Sequence, residues 1–180
     1  MNLANKLTLS RIVMIPVFVY FLTVGTVGNT LVAGGIFILA SITDFFDGYI
    51  ARSRNLVTKF GKFMDPLADK LLVMSAFICF VELHLIPSWA VIIIISRELI
   101  VSIFRAIAAA DGVVIAAGKL GKYKTASQMV TIIVFCFNSL LVTVTTFPIA
   151  MILFYICTFL TILSGVDYIV KNKAVLLDQK

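Results

Sequence analysis

Hydrophobic positions in this chain come in long blocks, broken by short polar or basic connections. Six mostly apolar runs are visible, approximately 12–27, 31–51, 63–83, 87–109, 125–145 and 148–170. A helix crossing ~30 Å of hydrocarbon needs roughly 20 such residues. Each run therefore predicts a transmembrane helix, the first being the shortest. Residues 1–11 mix polar and apolar positions and predict an amphipathic entry to the first span. The expected fold class is all-α, a polytopic membrane protein forming one domain over 1–180.

Charge then orients the spans. The connections TVGTVGNT and VTVTTF carry no charge, and the one between the third and fourth runs holds only Glu82 and His84. Lys6, Arg11, Arg52, Arg54, Lys59, Lys62, Lys119, Lys122, Lys124, Lys171, Lys173 and Lys180 all fall on the opposite side. Basic residues collect in cytoplasmic loops, so both termini are expected inside. Composition agrees, with 61% hydrophobic residues, 13% charged residues and a mean hydropathy of +1.10. The net charge of +6 would suit nucleic acid, but the asymmetry across the membrane accounts for it without such a partner. Basic residues beside the bilayer attract anionic lipid instead. Cys79, Cys136 and Cys157 lie within apolar runs at spacings that match no zinc or redox motif.

Two polar intrusions do not fit a purely apolar span. In DFFDGYIAR, Asp47, Gly48, Ala51 and Arg52 follow Asp44 at offsets 3, 4, 7 and 8, one face of an α-helix. In GKFMDPLAD, Gly61, Asp65 and Asp69 recur every four residues on another such face. The two runs are antiparallel, so the stripes can face each other at equal depth. Asp44 lies ~12 Å along the helix from Arg52, near the cytoplasmic head groups. A carboxylate at a span centre costs roughly 2.5–3.5 kcal/mol, less near the surface. Ion pairing between helices is a weak explanation for four mutually repelling acids; a multivalent cation is a better one. Oxygen-only donors favour Mg²⁺, Mn²⁺ or Ca²⁺, and the small residues Gly48, Ala51 and Gly61 leave space for a ligand to approach.

Asp44-x2-Asp47-Gly48-x2-Ala51-Arg52-x8-Gly61-x3-Asp65-x3-Asp69 resembles the complete signature of the CDP-alcohol phosphotransferases. The resemblance extends over nearly the whole chain, since that family also has a core of six spans with cytoplasmic termini. It implies a homodimeric enzyme of a bacterial plasma membrane, its active site facing the cytoplasm, that transfers a phosphatidyl group from CDP-diacylglycerol to an alcohol and releases CMP. It further implies two divalent cations, Mg or Mn, held by Asp44, Asp47, Asp65 and Asp69, with Asp69 also the general base. Gly48, Ala51, Arg52 and Gly61 would line the nucleotide pocket, with Arg52 on phosphate. Thr58 either adds a hydroxyl contact to the nucleotide or is a solvated loop residue.

The acceptor alcohol is read from two further stretches. NLANKLTLSR resembles the opening of bacterial phosphatidylglycerophosphate synthases, with Ala4 in place of a proline; the resemblance implies that residues 1–11 lie along the membrane interface and that Asn5 and Thr8 help to cover CDP-diacylglycerol. IIIISRELIVSIFR sets Arg97 and Glu98 inside an apolar run, with Arg105 on the Arg97 face. GKLGKYKT adds Lys119, Lys122 and Lys124 near the same mouth. Arg97 with Glu98 can also be a structural pair, and any one lysine an ordinary cytoplasmic cation. Together these cations suit an acceptor bearing its own phosphate, and their arrangement again resembles the same synthases, implying sn-glycerol 3-phosphate. The alternatives are inositol phosphate, serine or phosphatidylglycerol as acceptor, a Mg-dependent membrane prenyltransferase, and a divalent-cation transporter.

Overall fold

The structure, a computed structural model, describes the backbone at residues 3–53, 59–110, 118–140 and 148–172, and side chains at 8–43, 64, 67–109, 118–140 and 148–172. Within these ranges the chain runs through α1 (Leu3–Val24), α2 (Val27–Ser53), α3 (Lys59–Glu82), α4 (Ser88–Ala110), α5 (Lys119–Cys136) and α6 (Ile149–Lys171). No strand occurs among the described residues. The all-helical expectation holds at this level.

The turns explain where the helices stop. Gly25 adopts φ +72°, a left-handed conformation that ends α1. The Thr26 hydroxyl then accepts the Asn29 N–H at 3.4 Å, capping α2. Two residues thus separate α1 from α2. At the end of α3 the Leu85 N–H reaches the Phe80 carbonyl at 2.9 Å, and the His84 N–H reaches Val81 at 3.0 Å. His84 sits at φ +56° between them, the left-handed position of a Schellman turn. Pro87 follows and prevents the helix from resuming at once. The one histidine of the chain therefore has a backbone role.

The helices divide between two compact units. The first comprises Met1–Leu85 and Ile132–Phe147. In it α1 packs on both α2 and α3, and α2 touches α3. Phe18 of α1 meets Phe37 of α2 with ring centroids 5.9 Å apart, and Phe80 meets Phe135 at 4.9 Å. The predicted interfacial segment is, from Leu3 onward, continuous with α1. Thr8 and Arg11 are both about fully buried in it, at 1% exposure.

Gly34 is the close approach in this unit. A Cβ there would lie 2.6 Å from Cε2 of Phe137 and 3.0 Å from Cβ of Cys136. Gly35 has nothing within 4 Å of the same added atom. Small residues let membrane helices approach this closely. Gly34→Val is expected to destabilise the protein by about 1–3 kcal/mol, the range for overpacking a filled core. Gly35→Val should leave the detergent melting temperature nearly unchanged; equal shifts in both variants would mean that Gly34 is not a packing contact.

The second unit comprises Ile86–Thr131 and Pro148–Lys180, with α4 packed on α6. On the buried face of α6, Thr158, Thr161 and Ser164 donate to carbonyls of their own helix at 2.8–3.0 Å. Thr131 of α5 reaches across to the Leu153 carbonyl at 3.3 Å. Its outer face exposes Tyr155, Phe159, Ile162, Val166 and Ile169. Small hydroxylated residues inside and large apolar ones outside invert the soluble pattern and match a lipid surround. At 23 residues and hydropathy 2.3, α6 is long and apolar enough to cross a membrane. Thr8–Val24 and Val27–Thr43 are shorter apolar stretches.

Candidate active site

The acidic signature falls on α2 and α3. Asp44, Asp47, Gly48, Ala51 and Arg52 all precede the end of α2 at Ser53, so unbroken helical register keeps them on one face. The early start of α3 at Lys59 does the same for Gly61, Asp65 and Asp69. The side chains of Asp44, Asp47, Arg52 and Asp65, with that of Asn5, lie outside the described residues, as does Thr58 altogether. Asp69 is described and partly buried, beside fully buried Ala68. Thr8 occupies the buried face of α1, in the same unit as both acidic helices.

The predicted acceptor cations fall in the second unit. Glu98 is the centre of their arrangement: one carboxylate oxygen, Oε1, accepts from Arg97 Nη1 at 3.3 Å and from Lys124 Nζ. Lys124 is buried at 2% exposure, whereas Lys119 and Lys122 are exposed. Burial pulls the Lys124 ammonium below the usual lysine range, and the Glu98 charge opposes that pull. The stem of Arg97 passes over Gly165 of α6, where an added Cβ would stand 3.1 Å from Arg97 Cγ. Arg105 lies with its guanidinium 5.4 Å from the centre of the Tyr168 ring, and Phe104 meets that ring edge-on at 5.6 Å.

Three polar atoms in this group are buried without a hydrogen-bond partner: Arg97 Nε, Arg105 Nε and the Tyr168 hydroxyl. Leaving such a group unsatisfied costs about 1–3 kcal/mol, more when it is charged. Each is a donor without an acceptor. Tyr168 and Gly165 were invisible as site residues in the sequence, where both read as parts of an apolar run. The packing of α6 on α4 brings them beside Arg105 and Arg97 respectively.

Comparison with known proteins identifies the family. The family profile described as CDP-alcohol phosphatidyltransferase matches residues 1–163. The chain belongs to this family. A CDP-diacylglycerol–glycerol-3-phosphate 3-phosphatidyltransferase of Bacillus subtilis is 45% identical over 95% of both chains. A Rickettsia typhi protein of the same name is 39% identical over 93% of this chain and 94% of its own. A probable phosphatidylglycerophosphate synthase of Mycobacterium tuberculosis is 40% identical, covering 94% of this chain and 81% of its own. The family expected from the spacing of the aspartates is therefore the family found, and the matched range, 1–163, spans residues 44–69.

Proposed function

We propose that this chain transfers the phosphatidyl group of CDP-diacylglycerol to sn-glycerol 3-phosphate, giving phosphatidylglycerophosphate and CMP. The observation that carries the reading is 45% identity along 95% of both chains to a relative bearing that enzyme name. The unsatisfied donors of the second unit support it, because a phosphorylated acceptor supplies the oxyanion that they lack.

Asp44, Asp47, Asp65 and Asp69 fit two divalent cations, Mg or Mn. Their donors are all carboxylate oxygens, and helical register groups them on two touching helices. Bound there, such ions neutralise a pyrophosphate and favour in-line displacement at phosphorus. Asp69 takes the proton of the acceptor hydroxyl as that oxygen bonds to phosphorus and the bond to the CMP oxygen breaks. Its carboxylate is a modest base beside cations, so orienting the hydroxyl is as much its task as removing the proton. Arg52 holds nucleotide phosphate, with Thr58 adding a hydroxyl, while Gly48, Ala51 and Gly61 leave room for the nucleotide. Asn5 and Thr8 help to cover the lipid substrate. Arg97, Arg105, Lys119, Lys122 and Lys124 receive the acceptor phosphate.

The reading also includes six spans, cytoplasmic termini and a homodimer in a bacterial plasma membrane, with the site open to the cytosol. Exposed apolar stripes support the spans: Leu9, Val13 and Val17 on α1, Ile92, Ile103 and Ile107 on α4, and Phe159 and Val166 on α6. A cysteine introduced at Asn55 should label only from the cytoplasmic side, and one at Asn29 only from outside. The opposite pattern would turn the site away from cytosolic substrates. The reaction itself is tested by incubating purified protein with CDP-diacylglycerol and glycerol 3-phosphate and measuring CMP and phosphatidylglycerophosphate together; CMP without that lipid would overturn the choice of acceptor.

A further inference from the structure

Glu98 is an anion buried among groups that the proposed function assigns to binding another anion. That is the opposite of what electrostatic attraction for an acceptor phosphate calls for, so its presence needs a reason. At 8% exposure on α4 it is mostly buried, and a lone carboxylate there would be costly. It is not alone: Arg97 of the same helix and Lys124 of α5 both donate to its Oε1. Lys124 is held from a distance of 26 residues in sequence, so the contact ties two helices together.

The pairing leaves the two cations unequal. Lys124 is buried and directed at Glu98, whereas Arg97 gives Glu98 one terminal nitrogen and keeps Nε buried without a partner. Gly165 makes room for the Arg97 stem, so the guanidinium is fixed at both ends: its stem by α6, its tip by Glu98. Two cations brought this close repel each other, and the carboxylate between them offsets that repulsion. Summed over Arg97, Glu98 and Lys124, the group retains one positive charge.

We infer that Glu98 is a positioning residue for the acceptor phosphate, fixing Arg97 and Lys124 across α4 and α5 so that the free edge of Arg97 is presented to the ligand. The inference rests on the proposed function, since it takes the second unit to bind a phosphorylated acceptor. It assigns Glu98 no contact with substrate. A guanidinium held in one orientation loses less freedom on binding than a free one, so removing its tether weakens acceptor binding without altering the lipid substrate.

The test is steady-state kinetics on purified protein with glycerol 3-phosphate and CDP-diacylglycerol varied separately. Glu98→Gln is expected to raise KM for glycerol 3-phosphate roughly tenfold or more, the scale of a lost charge-assisted hydrogen bond, with KM for CDP-diacylglycerol unchanged. Glu98→Asp, which keeps the charge, should recover part of the loss. Lys124→Gln should cost much less in the Glu98→Gln background than in the wild type, since the pair acts as a unit. The pH profile is a further readout. Lys124 faces Glu98 and Arg97 from α4 and Cys157 from α6. Without the Glu98 charge its ammonium deprotonates at lower pH, so acceptor KM in Glu98→Gln should climb at a lower pH than in the wild type. Should Glu98→Gln be too unstable to purify, the charge-neutral double variant and Glu98→Asp still decide the matter by their KM values. Equal changes in both KM values, or an unchanged acceptor KM, would reduce Glu98 to a packing role. Wild-type protein that ignores glycerol 3-phosphate would instead overturn the proposed function itself.

Discussion

Asp65→Asn or Asp69→Asn is expected to lower CMP release at saturating substrates by at least about a hundredfold, the scale seen when one preorganised charge-stabilising group is removed. Asparagine keeps the shape of the side chain and removes its charge, so the helices should still insert and pack. The stability readout separates this from misfolding. In metal-free protein the four carboxylates repel one another, and neutralising one relieves part of that repulsion. Asp65→Asn should therefore melt no lower than the wild type in EDTA. Added Mg²⁺ or Mn²⁺ should raise the melting temperature of the wild type, as any ligand of the folded state does, and raise that of the variants much less. Chelation should silence the wild type, with either ion restoring it. Full turnover in a chelated, metal-free sample would end the metal reading.

This prediction draws almost wholly on sequence, and the reason is physical. Carboxylates are expensive in an apolar run, so they stand out, and a spacing of three and four residues translates directly into one helix face. The structure adds only that α2 persists to Ser53 and that α3 begins by Lys59, the helical continuity on which the spacing depends. Other features needed tertiary contacts. The Glu98–Lys124 pair joins residues far apart in sequence: Glu98 reads there as a partner for adjacent Arg97, and Lys124 as an ordinary cytoplasmic cation. Tyr168 sits among residues that look lipid-facing until the stacking of Arg105 on its ring shows which way it turns. The Gly25–Thr26 reversal looks like a longer loop because Val27 to Thr30 is polar enough for one, yet a single left-handed glycine and one hydroxyl cap complete it. The amphipathic opening looked like a separate interfacial segment because Lys6 and Arg11 interrupt its hydropathy. Within the first unit Thr8 and Arg11 of this opening are buried, while Ser10 between them is exposed.

Arg105→Gln should raise KM for glycerol 3-phosphate by roughly ten- to a hundredfold and leave KM for CDP-diacylglycerol nearly constant, because a charge-assisted hydrogen bond to phosphate contributes about 1.5–3 kcal/mol. Its guanidinium is held against the Tyr168 ring with Nε buried and unpartnered, so the donor is already oriented before any ligand arrives. Arg105→Lys should recover little, since an ammonium restores the charge but neither the planar stack on tyrosine nor the paired donors. Arg52→Gln should show the complementary pattern, weakening CDP-diacylglycerol and sparing the acceptor. The same logic ranks acceptors. Plain glycerol leaves Arg97 Nε and Arg105 Nε buried without an acceptor, and a site built to hydrogen-bond a group rejects an analogue lacking it by far more than a hydrophobic pocket rejects a missing methylene. Glycerol 3-phosphate, inositol phosphate, serine and glycerol compared at equal concentration should therefore separate steeply, with glycerol 3-phosphate first and serine and glycerol last. If serine or glycerol matches glycerol 3-phosphate, Arg105 serves to pack α4 on α6 and the acceptor carries no phosphate.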